Sequence, residues 1–246
     1  MTDESAKRFA GKVAVVTGAS RGLGRALALG LGREGAQVVA CATDRSVGAL
    51  EDLDDAIQKA GGLRPTLVPF DLKDGERIDA LPSALVQRHG RLDLLIGNAA
   101  VLGGLSPIGH VAQKTWRDTF AVNLDANQRL LARLDPLLRQ SKGTALLVSC
   151  SVATEAPAYW STYAASKAAL ERMAAIYAKE VAKFGITVTC VAPGPLRTRL
   201  RAQAFPGEDP ESVTDPEAEA ARILDRLADG TQSTMTQGNA ANAESP

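Results

Sequence analysis

Short runs of apolar and β-branched residues recur along the chain. They lie at residues 13–17, 37–42, 67–70, 92–96, 145–149 and 186–191. Each run is apolar at consecutive positions, which is typical of strands that are buried on both faces. Helical spacing of apolar residues fills the intervals, at residues 23–34, 46–60, 75–89, 113–139 and 162–183. This alternation predicts a parallel sheet covered by helices on both sides.

The C-terminal part has a different pattern. Residues 205–210 are acidic and rich in turn-forming residues, and they predict a loop. Residues 216–227 fit a helix, with Asp215 able to cap its start and Pro216 suited to its first turn. Small and polar residues dominate positions 230–246, so we expect a weak strand or a flexible tail there.

Composition excludes several classes of protein. The 246 residues carry 28 Lys and Arg against 28 Asp and Glu, and 45% of them are hydrophobic. These values fit one globular domain over residues 1–229 and argue against disorder throughout and against a basic surface for nucleic acid. No run of about 18 apolar residues occurs, and the polar start at residues 1–12 does not resemble a secretory signal. We therefore expect a cytoplasmic protein with no nucleic-acid or membrane partner.

The three cysteines, Cys41, Cys150 and Cys190, stand singly inside apolar runs. This arrangement predicts buried thiols in a reducing compartment, with neither a disulfide framework nor a metal site.

A glycine-rich loop follows the first predicted strand directly. Residues 17–24 spell Thr-Gly-Ala-Ser-Arg-Gly-Leu-Gly and open a helix. Glycines let the backbone turn tightly and approach a pyrophosphate, to which the helix N-terminus offers free N–H groups and partial positive charge. The strand before the loop and the helix after it make a dinucleotide site a strong prediction.

Thr17, Gly18, Gly22 and Gly24 in this spacing resemble the short-chain dehydrogenase/reductase family, and its bacterial members in particular. Residues 41–43, Cys-Ala-Thr, resemble the corresponding stretch of the bacterial 3-oxoacyl-carrier-protein reductases of that family, which use NADPH. The similarity extends over about residues 9–205. It implies a Rossmann-type doubly wound α/β sheet in a single domain, with oxidoreductase activity. Ser20, Arg21 and Leu23 of the same loop are then expected cofactor contacts.

Tyr163 and Lys167 are four residues apart in a helical pattern, so both side chains share one helix face. A cation close to a phenol favours the phenolate, so we expect Lys167 to lower the pKa of Tyr163. Taken alone, such a pair is more often a solvated helix face. The resemblance instead implies that Tyr163 is the catalytic acid/base and that Lys167 lowers its pKa and holds the cofactor ribose.

The family also uses a serine that orients the substrate oxygen, and here three residues compete for that role. Spacing from the tyrosine favours Cys150, whereas local context favours Ser151, and Ser149 shares the strand face of Ser151. Because a thiol is a poor hydrogen-bond donor, we favour Ser151, then Ser149. Asn123 matches the asparagine that supports proton relay in the family, although a lone helix asparagine is usually solvated.

The resemblance places further cofactor contacts after the third, fourth and sixth predicted strands. These are Asp71, Leu72, Asn98, Pro193, Gly194 and Thr198. The chain departs from the family at Ala100, where the motif that begins at Asn98 normally has glycine.

The end of the second predicted strand decides between NADP(H) and NAD(H). An acidic residue there would bind the free ribose hydroxyls of NAD, whereas this chain has Ala42 followed by Thr43. Arg21 and Arg45 supply positive charge for a 2′-phosphate. Asp44 favours NAD, but it lies beyond the usual position of the acid. We expect NADP(H), with NAD(H) as the alternative.

Three functions compete at this point. An NADP(H)-dependent reductase or dehydrogenase acting on a small carbonyl or alcohol substrate is favoured, since Tyr163 and Lys167 are both present. A non-catalytic dinucleotide-binding or sensing protein on the same fold is the alternative, and an adaptor domain is the third. A carbonyl panel assayed with NADPH would separate the first two.

The substrate and the assembly are less defined. By resemblance the substrate is recognised by the loop and last helix at about residues 195–229, where Arg199 and Arg201 suggest an acidic or acyl-carrier substrate.

The resemblance also implies that the protein forms a homodimer or homotetramer. Residues 101–200 carry 12 basic and 6 acidic side chains, and residues 201–246 carry 3 and 9. We expect the acidic segment to pack against the basic one.

Overall fold

In the computed structural model, which describes residues 7–229, six strands alternate with helices. The strands are β1 (Val13–Thr17), β2 (Gln37–Ala42), β3 (Thr66–Pro69), β4 (Leu94–Gly97), β5 (Thr144–Val148) and β6 (Thr187–Val191). The helices are α1 (Gly22–Arg33), α2 (Val47–Lys59), α3 (Gly75–His89), α4 (Gln113–Phe120), α5 (Ala126–Ser141), α6 (Val152–Glu155), α7 (Ser161–Val181), α8 (Arg199–Ala204) and α9 (Pro216–Ala228).

All six strands are parallel, in the order β3-β2-β1-β4-β5-β6. The chain winds outward in one direction from β1 and in the other direction from β4, so the carboxyl ends of these two strands border the crevice where such sheets bind ligands. This topology confirms the predicted Rossmann-type doubly wound sheet. The predicted strand limits are off by one or two residues, as at β4, which begins at Leu94.

Both faces of the sheet are buried. In β1, Ala14 and Val16 pack into the cluster that contains residues of α1, α2 and α9. Val13 and Val15 point the other way, into the cluster formed with α3, α5 and α7. Two apolar layers explain why the strand residues are apolar at consecutive positions.

The single helix predicted at residues 113–139 is interrupted. A π-helical turn at Ala121–Asp125 separates α4 from α5. Such turns insert an extra residue into a helix and frequently occur at functional sites. Asn123 lies inside this turn, and no periodicity of apolar residues distinguishes it from an ordinary helical turn.

The acidic C-terminal segment meets the basic segment before it at Arg197, whereas α9 itself packs against α1. Arg197 forms ion pairs with Glu211 and Asp215. Asp215 Oδ1 also accepts a hydrogen bond from Glu217 N at 2.7 Å, which confirms the predicted cap of α9. The tail predicted at residues 230–246 lies outside the described residues.

All three cysteines are free thiols, as predicted, although only Cys41 is fully buried while Cys150 and Cys190 are half-buried. Within residues 7–229 no cluster of side chains is suited to hold a metal ion. In the same part of the chain, no helix combines the length and the apolar character needed to cross a membrane.

Candidate active site

The glycine loop turns sharply between β1 and α1. Gly18 has a φ of +68°, a conformation that favours glycine. Gly24 is closely surrounded, since a Cβ atom there would lie 2.3 Å from the Gly18 carbonyl oxygen and 2.3 Å from Asn98 Nδ2. Only a residue without a side chain lets the first turn of α1 approach the loop this closely.

Hydrogen bonds join the end of β1 to the end of β4. The backbone N–H groups of Asn98 and Ala99 donate to Thr17 Oγ1, at 3.0 and 3.1 Å. Asn98 Nδ2 donates to the Thr17 carbonyl oxygen at 2.9 Å. The Asn98 side chain therefore fixes the shape of the glycine loop.

The segment after β6 lies opposite the glycine loop. Thr198 Cγ2 would be 3.1 Å from a Cβ atom on Gly22, so the two segments nearly touch. Thr198 also caps α8 by accepting a hydrogen bond from Arg201 N at 3.3 Å. Pro193 and Gly194 lie between β6 and this contact, and Gly194 is exposed.

At the end of β2, Ala42 is buried and the next three residues are exposed. Thr43 Oγ1 lies 3.1 Å from Ser46 Oγ. Arg45 is exposed, as is Arg21 just before α1, and neither guanidinium has a partner within residues 7–229. Both cations are thus free to meet an anion.

The residues predicted after β3 are half-buried. Asp71 Oδ1 accepts a hydrogen bond from Lys73 N at 2.9 Å, which holds the turn before α3. Leu72 packs against the core cluster on the α3 side of the sheet.

Tyr163 and Lys167 lie on one face of α7 and are both buried, with exposed fractions of 5% and 1%. The Lys167 Nζ atom donates a hydrogen bond to the Val148 carbonyl oxygen at the end of β5, at 2.5 Å. It lies 5.7 Å from the centre of the Tyr163 ring. The helix thus brings the phenol and the ammonium together beside the carboxyl end of β5.

Burial dominates the electrostatics of this pair. It raises the pKa of Tyr163 above its usual value, with a smaller contribution from the neighbouring Cys150 thiol. Burial also lowers the pKa of Lys167 to about 8. In the protein alone, burial thus dominates the pKa of Tyr163, and a lowering of that pKa by Lys167 stays a prediction.

Asn123 is fully buried and ties three elements together. Its Oδ1 accepts a hydrogen bond from Val101 N at 2.9 Å, and its Nδ2 donates to Val101 O and Ser166 Oγ, both at 3.0 Å. Ser166 Oγ in turn donates to the Tyr163 carbonyl oxygen at 2.8 Å. The π-helical turn thus connects the loop after β4 to the helix that carries the tyrosine.

The three residues after β5 have different surroundings. Ser149 is buried, and its hydroxyl donates to Glu171 Oε1 at 2.6 Å. Cys150 packs into the apolar cluster around Tyr163. Ser151 is exposed at the start of α6.

Sequence reasoning missed three residues near the pair. Glu171 accepts a hydrogen bond from Ser149, and Ser166 donates one to the Tyr163 carbonyl oxygen. Trp160 makes an edge-to-face contact with the Tyr163 ring, with centroids 6.1 Å apart. Glu171 lies four residues after Lys167, so the same helix-face argument could have found it. The roles of Ser166 and Trp160 depend on contacts that no local pattern indicates.

Comparison with known proteins agrees with this geometry. The family model described as short chain dehydrogenase matches residues 12–209. The chain belongs to the short-chain dehydrogenase family. It is therefore an oxidoreductase by family, as the glycine loop and the Tyr163–Lys167 pair predicted.

Individual relatives align with most of the length of this short-chain dehydrogenase. The uncharacterized oxidoreductase YciK of Escherichia coli K12 is 35% identical over 208 residues, which is 83% of this chain and 81% of the relative. The 3-oxoacyl-[acyl-carrier-protein] reductase of Thermotoga maritima is 32% identical over 196 residues, 78% of this chain and 77% of its own. A short chain dehydrogenase of Shigella flexneri 2a, solved in complex with NADP, has a TM-score of 0.88 at 32% identity, covering 94% of this chain and 98% of its own.

Proposed function

We propose that this protein is an NADP(H)-dependent oxidoreductase that interconverts a carbonyl and an alcohol, with Tyr163 as the acid/base. The observation that carries the proposal is the buried Tyr163–Lys167 pair at the carboxyl edge of the sheet, which the glycine loop also borders. A lysine is rarely buried without a functional reason, because its charge is costly to remove from water.

The chain's own residues fit the dinucleotide. The pyrophosphate would meet the loop of Gly18, Ser20, Gly22, Leu23 and Gly24, where the N-terminus of α1 attracts anions. Thr43, directly after β2, is a further proposed cofactor contact. The remaining proposed contacts are Asp71 and Leu72 for adenine, Asn98 and Lys167 for ribose, and Pro193, Gly194 and Thr198 for the nicotinamide amide.

Two exposed arginines support a preference for NADP(H) over NAD(H). Arg21 and Arg45 flank the loop and the end of β2 without internal partners in the described chain, so they can bind a 2′-phosphate. The complex of the Shigella relative with NADP is in line with this proposal.

Proton transfer would fall to Tyr163. The bound NADP(H) supplies or accepts the hydride. Because burial raises the pKa of Tyr163, the phenol keeps its proton at neutral pH and can give it to the carbonyl oxygen during reduction. Lys167, protonated below about pH 8, would stabilise the phenolate that remains. Asn123 would hold α7 and the loop after β4 in place for this step.

For the role of orienting the substrate oxygen, the contacts in the structure favour Cys150 over Ser151. The Ser149 hydroxyl is engaged by Glu171, and Ser151 is exposed, whereas Cys150 belongs to the cluster around Tyr163. Since a thiol is a weak donor, we expect Cys150→Ser to raise kcat severalfold and Ser151→Ala to leave it unchanged. A large loss of kcat in Ser151→Ala with no effect of Cys150→Ser would restore Ser151 to this role.

Turnover and binding together test the main proposal. The purified protein is expected to reduce some members of a panel of ketones, aldehydes and acyl thioesters with NADPH. Tyr163→Phe should lower kcat by about 100-fold or more while NADPH binding, measured by calorimetry, stays within a factor of about two. NADPH binding without turnover of any substrate would instead favour the non-catalytic sensing alternative.

The nucleotide preference has its own test. Arg21→Ala and Arg45→Ala should each narrow the ratio of NADH to NADPH dissociation constants by about tenfold, since each removes a charged contact to the phosphate. Arg33→Ala is a matched control, because Arg33 is exposed at the opposite end of α1. Equal affinities for both nucleotides in the unaltered protein would contradict the preference.

We further propose that the protein acts in the cytoplasm as a homodimer or homotetramer through α5 and α7. Ile176 on α7 leaves an apolar side chain half exposed, and the three free thiols suit a reducing compartment. Light scattering of the purified protein should give two or four copies of the chain, and a monomer at micromolar concentration would contradict the proposal.

A further inference from the structure

The surroundings of Tyr163 are apolar. Leu102 and Val152 are buried against it, and Leu200 from α8 packs on the same cluster. Trp160 contacts the tyrosine edge-on. Any molecule that reaches the phenol therefore meets carbon surface on several sides.

An aromatic side chain continues this wall toward solvent. Phe205, at the end of α8, lies 5.7 Å from the Trp160 ring between centroids and is 39% exposed. The guanidinium of Arg201 lies over the Phe205 ring, 3.7 Å from its centre. These two contacts hold the phenyl ring in place although it is partly open to water.

Two of the three arginines at residues 197–201 are paired with carboxylates of the protein. Arg201 donates to both carboxylate oxygens of Glu208, at 2.7 and 2.6 Å, and its guanidinium lowers the pKa of Glu208. Arg197 is paired with Glu211 and Asp215. An anionic substrate would have to compete with these carboxylates for Arg197 and Arg201, which makes both poor candidates for its recognition. Arg199, at the first position of α8, is exposed and forms no ion pair within residues 7–229.

Two loops extend the apolar surface. Val101, Leu105 and Ile108 of the loop after β4 are exposed, Ile108 by 72%. Ser106 N donates to the Tyr159 carbonyl oxygen at 2.9 Å, which joins this loop to the exposed Tyr159 just before α7. This hydrogen bond places the loop beside the start of the helix that carries Tyr163, and exposed apolar residues next to a functional site are typical of a binding surface.

Resting on the oxidoreductase function proposed above, we propose that the substrate is an uncharged, bulky apolar carbonyl compound, such as an aryl aldehyde or ketone, or the matching alcohol. Trp160 and Phe205 are the residues that determine this specificity. The Arg201–Glu208 pair positions Phe205 and neutralises the positive charge that lies against its ring.

A pair of substrates that differ in one charge tests the substrate class. Benzaldehyde and 4-carboxybenzaldehyde present the same reacting group to Tyr163. With NADPH and the full chain, we expect kcat/KM to be at least about tenfold higher for the neutral compound, because burying an unpaired carboxylate is costly. Equal values, or a preference for the anion, would overturn the proposal.

Two variants and one control test the roles of Phe205 and of the Arg201–Glu208 pair. Phe205→Ala should lower kcat/KM for benzaldehyde by about tenfold through KM, and change the value for propanal by less than about twofold, since a small aldehyde does not reach the ring. Val86→Ala, an exposed apolar residue on α3, is the control and should change neither. Glu208→Gln should free the Arg201 charge and reduce the preference for the neutral aldehyde at least about threefold. If Phe205→Ala left kcat/KM for benzaldehyde relative to propanal unchanged, Phe205 would not determine specificity. If Glu208→Gln left the preference for the neutral over the anionic aldehyde unchanged, the role of the Arg201–Glu208 pair would be overturned.

A measurement of ligand binding tests the proposed substrate class independently of the proposed oxidoreductase activity. In Trp116→Phe, Trp160 is the one remaining tryptophan of the two in the chain and reports on the cleft. In the presence of NADP, benzyl alcohol should quench its fluorescence at a concentration at least about tenfold lower than 4-(hydroxymethyl)benzoate. Equal or reversed affinities would overturn the inference even if the enzyme is active. Selective binding of the neutral ligand without turnover would support it and count against the oxidoreductase function.

Discussion

Gly24→Ala probes the closest packing in the glycine loop. The added Cβ atom would lie 2.3 Å from both the Gly18 carbonyl oxygen and Asn98 Nδ2, where Cβ contacts under 3.0 Å are essentially never found. Neither neighbour moves easily, since one is backbone and the other donates a hydrogen bond to Thr17 O. Either α1 or the loop must therefore shift by roughly 1 Å, at a cost of about 1–3 kcal/mol in a well-packed region.

The assays are urea unfolding followed by circular dichroism and NADPH titration by calorimetry. We expect the free energy of unfolding to fall by about 1–3 kcal/mol and the dissociation constant of NADPH to rise at least about tenfold, because the backbone N–H groups of the loop no longer converge.

Gly48→Ala is the control, since a Cβ atom at this position in α2 meets nothing within 4 Å. It should stabilise the protein by up to about 1 kcal/mol and leave binding unchanged. The reasoning would be refuted if Gly24→Ala matched this control in both measurements.

The remaining predictions concern buried polar groups. Because Lys167 has a pKa of about 8 in the folded protein against 10.5 normally, the unfolded state binds more protons between these values, so stability rises with pH there. Unfolding curves should show the wild type gaining up to about 3 kcal/mol relative to Lys167→Met from pH 8 to 10.5; a constant difference would contradict this. Hydrogen bonds from Arg91 and from the backbone of Val13 outweigh burial and lower the pKa of Asp93, so its contribution is present above pH about 4 and lost in acid. Asp93→Asn should therefore be less stable than the wild type at neutral pH, with the two converging at low pH. Asn123→Ala leaves buried hydrogen-bonding groups unpaired and should lower the free energy of unfolding by about 1–3 kcal/mol, together with kcat; an unchanged kcat would limit Asn123 to a structural role.

Local pattern was sufficient for the framework of this protein. Two apolar layers require consecutive apolar residues in a buried strand, so β1 could be located from residues 13–17 alone. The tight turn at Gly18 requires glycine, and a four-residue separation places Tyr163 and Lys167 on one helix face. Each of these inferences depends on neighbours along the chain, which the amino-acid order specifies directly.

The protonation of the site residues and the contacts between their side chains could not be inferred from local pattern. The pKa of Tyr163 is raised rather than lowered because desolvation depends on how many segments cover the phenol. Arg201, which seemed a candidate for binding an acidic substrate, is neutralised by Glu208. Local context favoured Ser151, yet the contacts of the fold place Cys150 in the cluster around the tyrosine.

The amino-acid sequence by itself thus indicated the parallel sheet, the glycine loop and the pairing of a tyrosine with a lysine, because each is predicted by a pattern of residues that are close together along the chain. Only the tertiary structure decided which side chains surround that pair, which arginines keep a free charge, and where the helix with Asn123 widens into a π-helical turn. Burial and ion pairing join residues that are distant along the chain, so their energies are set once the sheet and its helices have packed together.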